Sequence, residues 1–252
     1  MLHGVPAWSY IYRHIIPVIS ASGIRVIAPD LPGFGKSDKP TDPEWYSITN
    51  HTLVIKELIN GLNLDKIILY AHDWGSMIGL RAISEIPERF SGAIISNGGL
   101  PFGDSSVPFT FRLWKFFASF SPIFPPGRIV DLGALRKLNA RERSAYNSPF
   151  PGNKFKMAPR IMPGKVPLKI KDIEAVKNRK AFDDLRGFNK PFLTVFGNSD
   201  PVTKGWDRIL QENIPGAGSQ KHRILKAGHF IQEDVPVELA EIIITFIKNT
   251  IN

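Results

Sequence analysis

The 252-residue chain contains no cysteine. Disulfides, thiolate nucleophiles and cysteine-bound zinc are therefore excluded, and a reducing compartment such as the cytoplasm suits the chain. No run of about eighteen apolar residues occurs, so no membrane span is expected. The N-terminus lacks a basic stretch followed by an apolar one, so no secretory signal is expected. Internal repeats and low-complexity tracts are also missing. Acidic residues are scarce in one region: residues 101–190 hold 18 Lys or Arg against 7 Asp or Glu, within a net charge of +9. A basic segment can attract phosphate. These cations are spread through helical and loop patterns without an aromatic ladder or a binding motif. The expectation is a solvated basic surface, with neither nucleic acid nor membrane as a partner.

What remains is ordinary for a globular chain, 43% hydrophobic and 22% charged, and long enough to bury one large core. Short, fully apolar β-rich runs alternate with helical patterns. Strands are expected at Ile24–Ala28, Ile67–Tyr70, Ala93–Ser96, 192–196 and His222–Leu225. Helices are expected at Thr49–Leu62, Gly75–Glu85 and Val237–Ile247. In the first helix Leu53, Ile55, Leu58, Ile59 and Leu62 form a rough apolar stripe. Continuous apolar strands separated by helices indicate an α/β fold with a mostly parallel sheet covered on both faces. The rhythm breaks at Gly98-Gly99 and resumes at Pro191. Residues 1–99 and 191–252 therefore read as the core, and 100–190 as an inserted helical cap sheltering a pocket at the strand ends.

Lys66 to Ser76 carry the most chemistry. The apolar run ends in Ala71-His72-Asp73-Trp74-Gly75, and a helical pattern begins at once. Small residues at 71 and 75 flank a carboxylate, the layout of a sharp strand-to-helix turn that projects a nucleophile. An aspartate there is already an anion at neutral pH, unlike serine. The same Asp73 is compatible with a plain helix N-cap. Two more acid–base groups follow strands: Asp200 in Gly197-Asn198-Ser199-Asp200-Pro201, and His229 in Ala227-Gly228-His229-Phe230. The order nucleophile, acid, histidine is that of α/β-hydrolase triads, and parallel strands would bring all three to one rim.

Several further segments carry a family resemblance. They are His3-Gly4-Val5-Pro6-Ala7-Trp8, Arg25-Val26-Ile27-Ala28-Pro29-Asp30, Gly33-Phe34-Gly35-Lys36-Ser37-Asp38, His72-Asp73-Trp74-Gly75, Ala145-Tyr146 with Pro149-Phe150-Pro151, and Gly228-His229-Phe230-Ile231-Gln232-Glu233. With these the whole chain resembles haloalkane dehalogenases of the α/β-hydrolase superfamily, in the branch whose triad acid is the aspartate matched by Asp200. Asn97 stands where other branches carry Glu. The resemblance implies a hydrolase in which Asp73 displaces halide and forms an alkyl ester. His229 then activates water, and Asp200 orients the imidazole. It implies Trp74 and Trp114 as halide donors and the backbone N–H groups of Val5 and Trp74 as the oxyanion hole. The expected partners are a small apolar halogenated substrate and water, with no cofactor and no metal, acting as a monomer. Phe102, Phe109, Phe116 and Phe117 are expected to shape the cavity.

The resemblance also marks departures. Val5 replaces a frequent Glu. Family members carry three strands before the His-Gly motif, the third between the strands matching 24–28 and 67–70; here the motif begins at residue 3. Missing strands would leave rows of backbone groups unpaired, so poor solubility or weak activity is expected. Epoxide hydrolase is the nearest alternative, although that family uses two cap tyrosines and residues 101–190 contain only Tyr146. A truncated, non-catalytic homologue is the alternative from another class.

Overall fold

The computed structural model describes residues 1–103 and 109–251, the side chains of Phe109 and Thr110 excepted. In chain order the elements are α1 (Ile16–Ala21), α2 (Ile48–Gly61), β1 (Ile67–His72), α3 (Trp74–Glu85) and β2 (Phe90–Ser96). Five helices follow: α4 (Phe109–Phe120), α5 (Pro126–Gly133), α6 (Ala140–Asn147), α7 (Met157–Lys165) and α8 (Ile173–Leu185). The chain then returns through β3 (Phe192–Gly197), α9 (Trp206–Asn213), β4 (Arg223–Leu225), α10 (Ile231–Asp234) and α11 (Pro236–Ile251). The strands pair side by side in the order β1-β2-β3-β4, all parallel.

Alternation along β1 shows why the sheet is covered on both faces. Leu69 and Ala71 belong to the core with α2 and α3, whereas Tyr70 points into the core with α1 and α11. Successive strand residues face opposite sides, so a strand buried on both is apolar throughout. Burying each such side chain contributes about 1.5–3 kcal/mol. All four strands run in one direction, so their carboxyl ends share one rim. Asp73, Asp200 and His229 follow β1, β3 and β4 there.

The anticipated strand at Ile24–Ala28 does not form: the segment is irregular. A strand needs a ladder partner, and the backbone bond this segment receives comes from the Met1 amino group to the Ile27 carbonyl, at 2.6 Å. The free edge of β1 is met by Leu2, whose N–H donates to Tyr70 and whose carbonyl accepts from His72. Between the two segments lies a cavity of about 600 Å³, lined by Ile24, Val26, Ile55, Ile59 and Leu69 among others. The α2 stripe is also displaced. Its buried residues are Ile48, His51, Thr52, Ile55 and Ile59, while Leu53 and Leu62 are exposed.

Candidate active site

Asp73 occupies a backbone conformation that L-residues rarely adopt, φ 51° and ψ −120°. Such a conformation costs roughly 1–3 kcal/mol and persists only where neighbours enforce it. The Asp73 N–H donates to the Asn97 carbonyl at 3.1 Å, and the Ser76 N–H and hydroxyl both donate to the Asp73 carbonyl. Small residues are obligatory around it. A Cβ on Gly75 would stand 2.3 Å from the Leu2 carbonyl oxygen, and one on Gly4 would stand 2.4 Å from Asp73 Cβ. The side chain does not act as an N-cap. Instead Oδ2 accepts the Val5 N–H at 2.9 Å, and the carboxylate also takes the Trp74 N–H.

The three acid–base groups converge. His229 Nδ1 lies 3.1 Å from Asp200 Oδ2, and His229 Nε2 lies 3.8 Å from Asp73 Oδ1. Asp200 also accepts the Val202 N–H at 2.8 Å and the Thr203 hydroxyl. Burial alone would raise the Asp200 pKa, but the facing imidazolium and these donors hold it well below the usual carboxylate range. For His229, burial opposes the cation, yet Asp200 and then Asp73 outweigh it and raise its pKa to about 9. Asp73 shifts opposite to Asp200. Burial pushes its carboxyl up, against the lowering effects of His229, Val5 and Trp74.

A second layer, not singled out from the sequence, fixes the histidine's backbone. The His72 Nε2–H donates to the His229 carbonyl at 2.8 Å. The Asn97 amide donates to both Gly228 and His229 carbonyls at 2.8 Å, and its oxygen accepts the Gly197 N–H at 2.7 Å. From the helical segment, the Gly133 carbonyl accepts the His229 N–H at 2.7 Å. Burial, with His229 as neighbour, lowers the His72 pKa to about 3, so it stays neutral. Its place directly before Asp73 was the available signal.

The site opens into a cavity of about 900 Å³. Asp73, Trp74 and His229 line it from the sheet side, and Phe111, Trp114 and Phe117 from α4. Among the described residues neither indole N–H, of Trp74 or of Trp114, donates to another protein group. Trp206, on α9, lines the same cavity, packed so tightly on Gly99 that a Cβ there would meet its ring at 2.1 Å. It was not anticipated, because nothing in its sequence surroundings marks it. Of the aromatics expected to shape the cavity, Phe117 does so. Phe116 is exposed, Phe102 packs on Phe182 away from the lining, and the Phe109 side chain lies outside the described residues. Tyr146 is buried with its hydroxyl donated to Glu233, so it does not face the cavity. Among the described residues no cluster of His, Cys, Asp and Glu could hold a metal ion.

Comparison with known proteins adds independent findings. Residues 1–236 match the family described as alpha/beta hydrolase fold. A haloalkane dehalogenase from Mycobacterium marinum is 43% identical over 246 residues, 98% of this chain and 83% of that protein. One from Psychrobacter cryohalolentis is 42% identical over 250 residues, 99% of this chain and 82% of that protein. The tetrameric haloalkane dehalogenase DpaA from Paraglaciecola agarilytica NO2 superimposes with a TM-score of 0.88 at 32% identity, covering 95% of this chain and 80% of its own.

Proposed function

We propose, for a chain that belongs to the haloalkane dehalogenases of the alpha/beta hydrolase fold family, that Asp73 carries a two-step hydrolysis of carbon–halogen bonds. The observation that carries this reading is a cavity-facing carboxylate with two backbone donors on it and an imidazole 3.8 Å away. In the first step an Asp73 oxygen attacks the substrate carbon in line, the C–O bond forms, and the carbon–halogen bond breaks with its electron pair leaving on the halide. Oδ2 is held by Val5, which leaves Oδ1, on the His229 side, for the attack. The expelled halide needs donors in an apolar cavity. Indole N–H groups of Trp74 and Trp114 supply them without an acceptor to repel the ion.

In the second step His229 Nε2 takes a proton from water, which adds to the ester carbonyl carbon. The resulting oxyanion is stabilised by the N–H groups of Val5 and Trp74, and collapse releases the alcohol with the proton from His229. Asp200 holds the imidazole tautomer and stabilises its cation. We read 1–99 and 191–252 as the hydrolase core and 100–190 as the cap, working as a monomer in the cytoplasm; the lack of cysteine suits that compartment.

The epoxide hydrolase alternative loses support from Tyr146, whose hydroxyl is committed to Glu233. Turnover of 1,2-dibromoethane in heavy-oxygen water tests the assignment. Halide should be released, and a single-turnover label should enter the Asp73 carboxylate. Label found only in the alcohol would sink the ester route, and absence of halide release would favour the non-catalytic homologue.

A further inference from the structure

Helix α4 is apolar on two sides. Trp114 and Ala118 face inward, whereas Leu113, Phe116, Phe117 and Phe120 recur at helical spacing on the outside. Leu113 is 58% exposed, Phe116 63% and Phe120 72%. Ile123, just beyond the helix, is 71% exposed. Scattered exposed apolar residues need no explanation, but a contiguous stripe marks an interaction site. This stripe is continuous with the cavity mouth, because Phe117 belongs to both, and exposed Leu132 and Leu135 also line the mouth.

Charge selects the occupant. The helix carries Arg112 and Lys115 and no acidic residue in its first turn. Arg112 lies about a quarter turn from the stripe's centre, and exposed Arg128 lines the cavity mouth. Neither of these two arginines meets a carboxylate among the described residues. The surrounding segment, 101–190, holds 18 cations against 7 acids. Docking a second copy through this face would bring two strongly basic surfaces together, which is unfavourable. An anionic lipid surface satisfies both features: it takes up apolar side chains at the interface and attracts flanking cations.

We propose that the outer face of α4 docks the protein on an anionic membrane surface with the cavity mouth turned toward the lipid. This departs from the expectation that no membrane is a partner, which rested on the absence of a spanning segment; surface binding requires only a short amphipathic face. Combined with the catalytic reading above, it delivers apolar substrate from the phase in which it concentrates.

Co-sedimentation of the full chain with vesicles tests it, using equal phosphatidylglycerol and phosphatidylcholine against phosphatidylcholine alone. The variant is Leu113→Gln/Phe116→Gln/Phe120→Gln, whose positions are exposed and outside the cavity lining. Circular dichroism verifies its fold. The expected result is binding to the anionic vesicles, at least tenfold weaker to neutral ones, at least tenfold weaker for the variant, and reduced by salt. Wild-type protein left in the supernatant, or a variant that binds as well, overturns the proposal. So does a wild-type oligomer, in the absence of vesicles, that the variant dissociates. Halide release from dissolved 1,2-dibromoethane is measured on both proteins in the same buffer. Vesicle binding without any halide release would refute the catalytic reading and leave the docking surface standing.

Discussion

Asp73 Oδ1 and His229 Nε2 stand 3.8 Å apart, and each alters the protonation of the other. The distance is too long for a direct hydrogen bond, so the two groups interact chiefly through charge. In the resting site two carboxylates hold His229 as a cation, with a pKa of about 9. A cation cannot accept a proton from water. In the proposed scheme, alkylation converts Asp73 to a neutral ester and removes one of those two carboxylates. The imidazole pKa then falls, and the base becomes available when the second step needs it.

Asp73→Asn copies that loss of charge without substrate. The His229 pKa, raised above its ordinary 6.5 in the wild type, should move down in the variant. Histidine proton chemical shifts followed against pH measure it directly. An unchanged midpoint would mean that Asp73 does not set the base. The pH–rate profile follows with the same sign for both groups, since each acts in its deprotonated form. Alkylation needs the Asp73 anion, so it is lost as pH falls through a pKa lying above the ordinary 3.8. The second step needs neutral His229 and is lost as pH falls through the imidazole pKa of the ester form, which lies below the resting value of about 9 because the Asp73 charge is gone.

His229→Gln separates the steps. Halide release needs only Asp73, so one equivalent per site should appear as a burst, and steady turnover should fall by about 10²–10⁴-fold, the usual contribution of a general base. The stalled ester adds the alkyl mass to the peptide bearing Asp73. Mass spectrometry after a single turnover reads this, and an unmodified peptide from a variant that still releases its first halide would contradict the two-step scheme.

Three indoles line the cavity, and the proposed halide pair is Trp74 and Trp114 rather than Trp206. Removing one donor to a desolvated anion costs about 1.5–3 kcal/mol, or roughly ten- to a hundredfold in affinity. Trp114→Phe should weaken bromide binding by that amount, read from quenching of the remaining indole fluorescence, while Trp206→Phe should leave it nearly unchanged. The reverse ranking would move the second halide donor from α4 to α9.

Beneath the histidine loop, Glu233 is fully buried between Arg13, Arg136 and the Tyr146 hydroxyl. Burial would raise its pKa, but Arg13 first, and then Tyr146 and Arg136, hold it down. Glu142 completes the cluster by pairing with both arginines. The cluster ties the N-terminal segment to the helical insertion and to α10, whose chain leads back to His229. Removing one partner of a buried ion pair strands the others, at about 3–5 kcal/mol. Glu233→Ala should therefore lower stability to denaturant by that amount, whereas Lys180→Ala, which removes an exposed, solvent-screened pair with Asp184, should leave it nearly unchanged.

Much of this was legible before coordinates. Strand-end positions of Asp73, Asp200 and His229 follow from short apolar runs ending in turn residues, and the fold brings those three side chains together. The polar contacts that brace them were not legible. His72, Asn97 and Gly133 meet the His229 backbone from three distant segments, and no local pattern encodes such a meeting. The face of α2 was misread for a similar reason. Buried His51 and Thr52 replace the more apolar Leu53 and Leu62, because packing against α3 and the loop at Pro32, not side-chain polarity, decides which face turns inward.

The misjudged strand at 24–28 yields the last prediction. Local propensity favours extension there, but a ladder needs a neighbour at about 4.8 Å, and a cavity of about 600 Å³ separates the segment from β1. Leu2 satisfies the Tyr70 carbonyl and the His72 N–H. In a parallel strand alternate residues direct their backbone groups to alternate sides, so the Tyr70 N–H and both groups of Ile68 point to the cavity, whereas Leu69 and Ala71 point to β2. Amide hydrogen exchange should distinguish these neighbours. Tyr70 and Ile68 should exchange at least tenfold faster than Leu69 and Ala71, although all four belong to one strand. Equal protection along β1 would mean that the edge is closed in solution. The segment at 24–28, or another extended chain, would then have to supply the missing acceptors.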